Sequence, residues 1–382
     1  MSEQKILIIR NAAAYDFGGG ERFPVFLAEA LKNQGLSPIL ISRSKKLLEF
    51  AEENQIPTIK GWWWAKQQWS GANNLLIPLY MLWQLLLTSY YRRLFRRLKP
   101  SAVHIQSKDD FIAATRAAKK LGIRIVWTDH ADLKHVWQNL TVRHKNPIGK
   151  MVYKAAHDAH SITLVSNSEL NLVSAHLPED SLLKEKLQVV YNGVVDSASA
   201  HPLTKAPSFT YLVASRLVKD KGIQEVIDAF IKLHEDHYNS ELVIIGDGPE
   251  ASHFNEAAKA SPAIKLLGHQ SQPLSFMASA DVFVHPTYHE GFSVALVEAG
   301  MMSLPIIATS VGGNVEIITS RETGLLISPK NTDELYRAMK ELYENDTLRK
   351  SLGENARKQY EQKFQFDIIV AKQFTPLYGV SA

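Results

Sequence analysis

Short apolar runs alternate along this chain with stretches whose apolar positions recur at helical spacing. Residues 5–10 (KILIIR), 38–42 (PILIS), 102–106 (AVHIQ), 124–127 (RIVW), 162–165 (ITLV) and 187–191 (LQVVY) read as buried parallel strands. Residues 22–34 and 111–121, lying between them, are amphipathic. Alternation of this kind predicts a doubly wound α/β domain. The pattern breaks at residues 201–207, in a segment rich in Ala, Ser and Pro, which reads as a linker. It then restarts, with strands expected at 209–214, 242–245, 264–267, 282–285, 306–308 and 324–327, and helices at 223–237, 293–302 and 332–343. A last amphipathic helix is expected over 366–378. The organisation predicted is a first Rossmann-like domain over residues 1–200, a second over 201–365, and a C-terminal helix, 366–382, returning to the first. Two such domains on one linker place a cleft between them, and open α/β sheets bind ligands at the carboxyl ends of their strands.

Composition narrows this picture. The 382 residues suit two domains of ordinary size. The chain has no cysteine, which excludes disulfides, thiolate metal sites and cysteine nucleophiles. No apolar signal-peptide core follows Met1, and the longest apolar stretch, residues 75–87, is 13 long and holds Pro78 and Gln84. A spanning helix needs about 20 apolar residues, so a cytoplasmic location is expected. The net charge of +4 is unevenly spread: Arg92, Arg93, Arg96, Arg97 and Lys99 fall within eight residues. They follow a segment holding Trp62, Trp63, Trp64, Trp69, Trp83, Tyr80, Tyr90 and Tyr91. Two compatible readings stand: one long helix packed on the first sheet with a basic outer face, or a peripheral contact with an anionic membrane surface.

Three segments of the second half carry candidate chemistry. In HEGFSVALVEAG, His289 to Gly300, a strand leads through a Gly turn into a helix. Glu290 and Glu298 then flank a helix N-terminus whose free N–H groups suit a phosphate, and their carboxylates suit hydroxyl-rich groups. An isolated pair of this spacing is equally consistent with a solvated loop residue and an ordinary helix residue. In ASRLVKDKGI, Arg216 ends a strand and Lys221 precedes a helix, so two cations can hold a diphosphate; alone, this segment also reads as a surface charge run. In IIGDGPE a strand leads into a Gly-rich turn where the backbone at Gly246 can approach a ligand closely; a lone Gly-Asp-Gly turn is also commonly structural. The sequence has no Asp-x-Asp pair, so a metal-bridged diphosphate is not expected. Of the fourteen histidines, His104, His269 and His285 sit near strand ends and are read as structural.

In this order the segments resemble the retaining glycosyltransferases of sequence family 4, over nearly the whole chain. The E-x7-E element, Glu290 and Glu298, is the most specific part. SRLVKDKG, GDGPE, LLGH (with Gly268) and TSVGGNVEII fall where the family has comparable segments, as do FGGGERF, VWTDHADL, TLVSNSE and VVYNGVVD in the first half. The third Gly of FGGGERF departs from the family's more usual Ala. The resemblance implies the GT-B fold, two Rossmann-like domains facing a central cleft, and a nucleotide-sugar donor with the anomeric configuration retained and no cofactor. It implies that Arg216 and Lys221 hold the diphosphate, Glu298 the ribose and Glu290 the transferred sugar. Backbone at Phe292, Ser293 and Val294, with Gly246 and Gly268, joins the donor set. Gly18 and Gly19 would bring the first domain's loop to the reaction centre, and His130 would sit by the sugar. The acceptor implied is a saccharide or a lipid-linked one, not nucleic acid.

Two other classes stay open at this stage: a GT-B sugar-nucleotide epimerase, for which no further catalytic acids are found, and a non-catalytic sugar-nucleotide-binding protein. A phosphorylase would need a longer C-terminal domain. A dehydrogenase is disfavoured because no Gly-x-Gly-x-x-Gly follows the first strand.

Overall fold

A computed structural model describes residues 4–11, 19–62, 77–130, 133–138, 140, 147–179, 181–201 and 208–380. The first unit holds a seven-stranded sheet of β1 (Lys5–Ile9), β2 (Ser37–Ser42), β3 (Thr58–Lys60), β4 (Ala102–Ile105), β5 (Arg124–Asp129), β6 (Ser161–Leu164) and β7 (Leu187–Val189). Its order is β3-β2-β1-β4-β5-β6-β7, and each neighbouring pair is parallel. The second unit holds β8 (Phe209–Ala214), β9 (Ser240–Ile245), β10 (Ile264–Leu266), β11 (Val282–His285), β12 (Ile306–Thr309) and β13 (Leu325–Ile327), ordered β10-β9-β8-β11-β12-β13 and again parallel. Both are doubly wound α/β sheets, as the patterning predicts. The edge strand β3 was not foreseen, because TIK has no apolar run.

The central strands bury both faces, which is why they read as continuous apolar runs. In β1, Ile6 and Ile8 face one hydrophobic cluster while Leu7 and Ile9 face another. The first cluster also holds Phe23, Val25 and Leu27 of the helix Gly19–Asn33. On the other face the long helix Ile77–Leu98 packs beside Phe111–Lys119, where Phe111 stacks on Trp127 at 4.1 Å.

The boundary between the units lies earlier in the chain than the composition suggests. Residues 1–191 and 366–382 form one unit and residues 192–365 the other. The switch comes at Asn192, not at residue 201, because the chain is already fastened to the second unit there. Val194 N–H donates to Phe364 O, Tyr360 Oη donates to Val194 O, and Arg357 pairs with Asp196 at 2.6 Å. Of the expected linker, residues 202–207 lie outside the described residues.

The helix expected over 366–378 runs without a break over Phe366–Ile369, Val370–Phe374 and Thr375–Leu377, its middle segment wound as a π-helical turn. A π turn widens the backbone by one residue, and here Phe366, Ile369, Val370, Phe374 and Tyr378 all reach the cluster holding Ile6 and Ile8. Polar contacts pin the segment to the first unit. Tyr378 Oη lies 2.8 Å from His104 Nδ1, Thr375 Oγ1 lies 2.7 Å from Gln34 Oε1, and Arg124 Nε donates to Leu377 O.

Candidate functional site

In the second sheet, β8 and β11 are neighbours, but the chain leaves them toward opposite edges, to β9 and to β12. Their carboxyl-end loops therefore diverge, which is where open α/β sheets hold ligands. The loop after β8 carries Arg216 and the turn Lys219–Lys221; the loop after β11 leads to the helix Val294–Met301. Backbone contacts stitch the two loops together. Asp220 O accepts from Tyr288 N–H at 2.8 Å and from Thr287 Oγ1 at 3.2 Å. Tyr288 Oη donates to Glu225, and Lys330 Nζ lies 4.8 Å over the Tyr288 ring.

This stitching brings together residues 69 apart in the chain: Lys221 Nζ lies 2.9 Å from Glu290 Oε2. His285 Nε2 reaches the same oxygen at 3.3 Å. Burial alone would raise the Glu290 carboxyl, but the His285 hydrogen bond and the Lys221 charge outweigh it and hold the pKa at about 2. Glu290 is thus an ionised acceptor at neutral pH. His285, read from sequence as structural, belongs to this cluster. Its position at a strand end was visible; its contact, five residues on in the chain, depends on how the loop after β11 folds back over the strand end. Arg216 is exposed and, among the described residues, its guanidinium makes no hydrogen bond or ion pair, so it can swing onto a bound anion.

Ser293 is the cap of the helix and not its first turn: its extended backbone leaves Oγ accepting from Leu296 N–H. The cap fixes the direction of the free N–H groups of the first turn. Phe292 turns its ring inward, 5.9 Å from the ring of Phe364, so only its backbone remains for a ligand. Val294 and Glu298 are half-buried along the helix. The TSVGGNVEII loop braces Glu290 from behind: Gly313 N–H donates to Glu290 O at 3.2 Å, and a Cβ on Gly312 would lie 1.7 Å from that oxygen. At the next strand ends Gly246 N–H donates to Gly268 O at 2.8 Å. Gly246 has φ 137° and its backbone closes on Ser215 O, so this glycine is required by loop packing whatever it binds.

In the first unit the same geometry recurs at β1 and β4. Arg10 Nη1 donates to Gln106 O, Asn11 Nδ2 donates to Asp110 Oδ2 at 2.6 Å, and Tyr91 Oη donates to Asp110 Oδ1. His130 follows β5, edge-on to Phe23 at 5.3 Å between ring centres. Burial first, then the charges of Arg10 and His104, hold its pKa well below the usual imidazole range, so it is neutral. Gly18 lies outside the described residues, and Gly19 begins the helix Gly19–Asn33. Among the described residues no helix is long and apolar enough to cross a membrane.

Residues 197–359 match the model of glycosyl transferases group 1, and residues 17–197 that of Glycosyltransferase Family 4. The capsular polysaccharide biosynthesis glycosyltransferase CapM of Staphylococcus aureus is 32% identical over 166 residues, 42% of this chain and 44% of that protein. An uncharacterized glycosyltransferase of Methanocaldococcus jannaschii is 27% identical over 312 residues, 70% of this chain and 80% of that protein. The match to CapM thus spans less than half of the relative's length. Among solved structures, a glycosyltransferase from Rickettsia africae superposes with a TM-score of 0.76 at 20% identity, covering 99% of both chains. Anabaena HepE, solved with UDP and glucose, superposes at 0.73 with 18% identity, covering 99% of this chain and 100% of that one.

Proposed function

The chain belongs to the group 1 glycosyltransferases of family 4, with the GT-B fold, and from that premise we propose that it moves a hexosyl-type sugar from a nucleoside-diphosphate donor to a saccharide or lipid-linked acceptor. The anomeric configuration is retained, and the products serve cell-envelope glycan synthesis. The observation that carries this reading is the Lys221–Glu290 pair beside the capped helix N-terminus at Ser293. A cation, a second exposed cation at Arg216 and a helix dipole suit a departing diphosphate, and the ionised Glu290 suits sugar hydroxyls. Glu298 takes the ribose, and His130, neutral in its site, hydrogen-bonds the sugar without repelling an oxocarbenium-like centre. The polar cluster of Arg10, Asn11 and Asp110 supports acceptor binding by the first unit. Relatives whose names specify glycans and a diphospho-undecaprenol acceptor support the substrate class.

The first unit rests on the cytoplasmic face of a membrane. On the helix Ile77–Leu98, Leu79, Leu82 and Leu86 are exposed in one stripe that continues into Arg93, Arg96 and Arg97. Arg92, expected in the same basic surface, is half-buried.

The test is a thermal-shift panel of nucleoside-diphosphate sugars, followed by transfer assays with and without excess EDTA. One donor should raise the melting temperature well above the rest by mass action, and its transfer should survive EDTA. A chain that no nucleotide sugar stabilises is not a transferase of this kind, and activity that requires added magnesium or manganese sinks the metal-independent clamp.

A further inference from the structure

Glu290 is held by two donors of different character. Lys221 reaches it from a short turn, on a flexible four-carbon stem. His285 reaches it from within the sheet: it is the last residue of β11, paired in register with Ala308 of β12, and only 5% of its side chain is exposed. Donation to a carboxylate requires the proton on Nε2. Both contacts fall on one oxygen, Oε2; among the described residues nothing binds Oε1. Oε1 is therefore the oxygen offered to a ligand.

A diphosphate changes this balance. It carries more charge than a carboxylate and draws the mobile ammonium to itself, so Glu290 loses its cation at the moment it must orient a sugar. The strand-borne imidazole has nowhere to go. We propose that His285 is the positioning residue of Glu290: its Nε2–H pins Oε2 while Lys221 moves to the donor diphosphate, keeping Glu290 ionised with Oε1 aimed at the transferred sugar. This role rests on the donor-site reading above and names a residue that the family motif segments do not include.

The experiment uses the full chain labelled with carbon-13 at glutamate Cδ, with the Glu290 resonance assigned from Glu290→Gln. UDP, GDP and ADP serve as probes, and the tightest binder is added to saturation. Among the described residues, the titratable groups facing Glu290 are Lys221 from the turn after β8 and His285 from β11. In the wild-type complex the carboxyl should stay ionised below about pH 4. In His285→Leu with nucleoside diphosphate bound it should titrate at least about one pH unit higher, because burial then acts unopposed. His285→Gln, whose amide also donates, should return the midpoint close to the wild type. Turnover with the transferred donor should fall about tenfold in the Leu variant and within about threefold in the Gln variant, at unchanged diphosphate affinity. Identical Glu290 titration in wild type and His285→Leu, or a folded Gln variant that behaves like Leu, overturns the role. Binding of a diphosphate that leaves the wild-type Glu290 signal unmoved overturns it too, with the donor site intact. Absence of binding to every probe overturns the donor-site reading and this role together.

Discussion

In the proposed donor site two donors, Lys221 and His285, converge on one carboxylate oxygen, Glu290 Oε2. Lys221 contacts Glu290 directly, and on the proposed reading replacing it removes the charge meant for the leaving group while His285 still holds the carboxylate. Lys221→Ala should lower turnover by at least about a hundredfold with little change in thermal stability, which steady-state kinetics and a melting curve together check. Full activity in that variant removes Lys221 from the machinery. The two glutamates should separate. Glu298→Gln should weaken the affinity for free nucleoside diphosphate, since it loses a ribose acceptor. Glu290→Gln should leave that affinity within about twofold and lower kcat, since its contact strengthens as charge develops. Calorimetry on both variants decides it, and equal losses contradict the division. As candidates these residues stand out in the sequence because Lys221 and Glu290 each lie between a strand and a helix start, with Glu298 eight residues after Glu290. That Lys221 would reach Glu290 was not legible, since nothing local says that β8 will lie against β11; nor was the His285 contact, which the fold of the loop after β11 sets.

The helices divide into those whose patterns predict their packing and one whose outer face stays unexplained by it. Ile77–Leu98 buries Tyr80, Leu87, Tyr91, Leu94 and Phe95 against the first sheet, yet leaves Leu79, Met81, Leu82, Leu85 and Leu86 about half exposed or more. Trp62, also exposed, packs edge-on to Trp83 and Tyr90. An apolar half and a basic half on one stripe suit shallow insertion beside anionic headgroups. The wild type should therefore sediment with anionic vesicles at low salt and release them as salt rises, exposed charges being screened over about 8 Å at physiological ionic strength. Arg93, Arg96 and Arg97 all changed to Glu should abolish sedimentation. A wild type that ignores such vesicles leaves the face as solvated surface. Strand positions were readable from apolar runs alone. The three-residue β3 and the π turns were not: the first is too short to carry a period, and the second interrupts one without changing residue type.

At the scale of the whole molecule, the two units should respond differently to acid. His104 is buried between Tyr378 and Thr128, and burial holds its pKa down to about 3. A histidine kept neutral by the fold contributes stability that is complete above about pH 6.5 and is lost as pH falls toward 3, at up to ~1.4 kcal/mol per pH unit. His130 adds in the same direction. Glu290, with its pKa lowered from 4.5 to about 2, costs the second unit stability only below about pH 4.5. All seven tryptophans fall within residues 62–137, so tryptophan emission reports the first unit alone. Urea unfolding followed by that emission should weaken steadily from pH 6.5 to 5, and His104→Gln should flatten the slope; an unchanged slope assigns the acid sensitivity elsewhere.

The return of residues 366–382 to the first sheet has a consequence for biosynthesis. On a ribosome, N-terminal domains ordinarily fold first, as chain emerges at roughly 5–20 residues per second. Here the first sheet lacks Phe366, Ile369, Val370, Phe374 and Tyr378 until the whole of residues 192–365 has been translated, a delay of roughly ten to thirty seconds at that rate. The later unit has all of its strands beforehand. Nascent chains stalled beyond residue 365 should thus carry a protease-resistant second unit behind an unfinished first one, with Ile6, Ile8 and Phe23 waiting for cover. Maturation of this chain runs against the direction of its own synthesis.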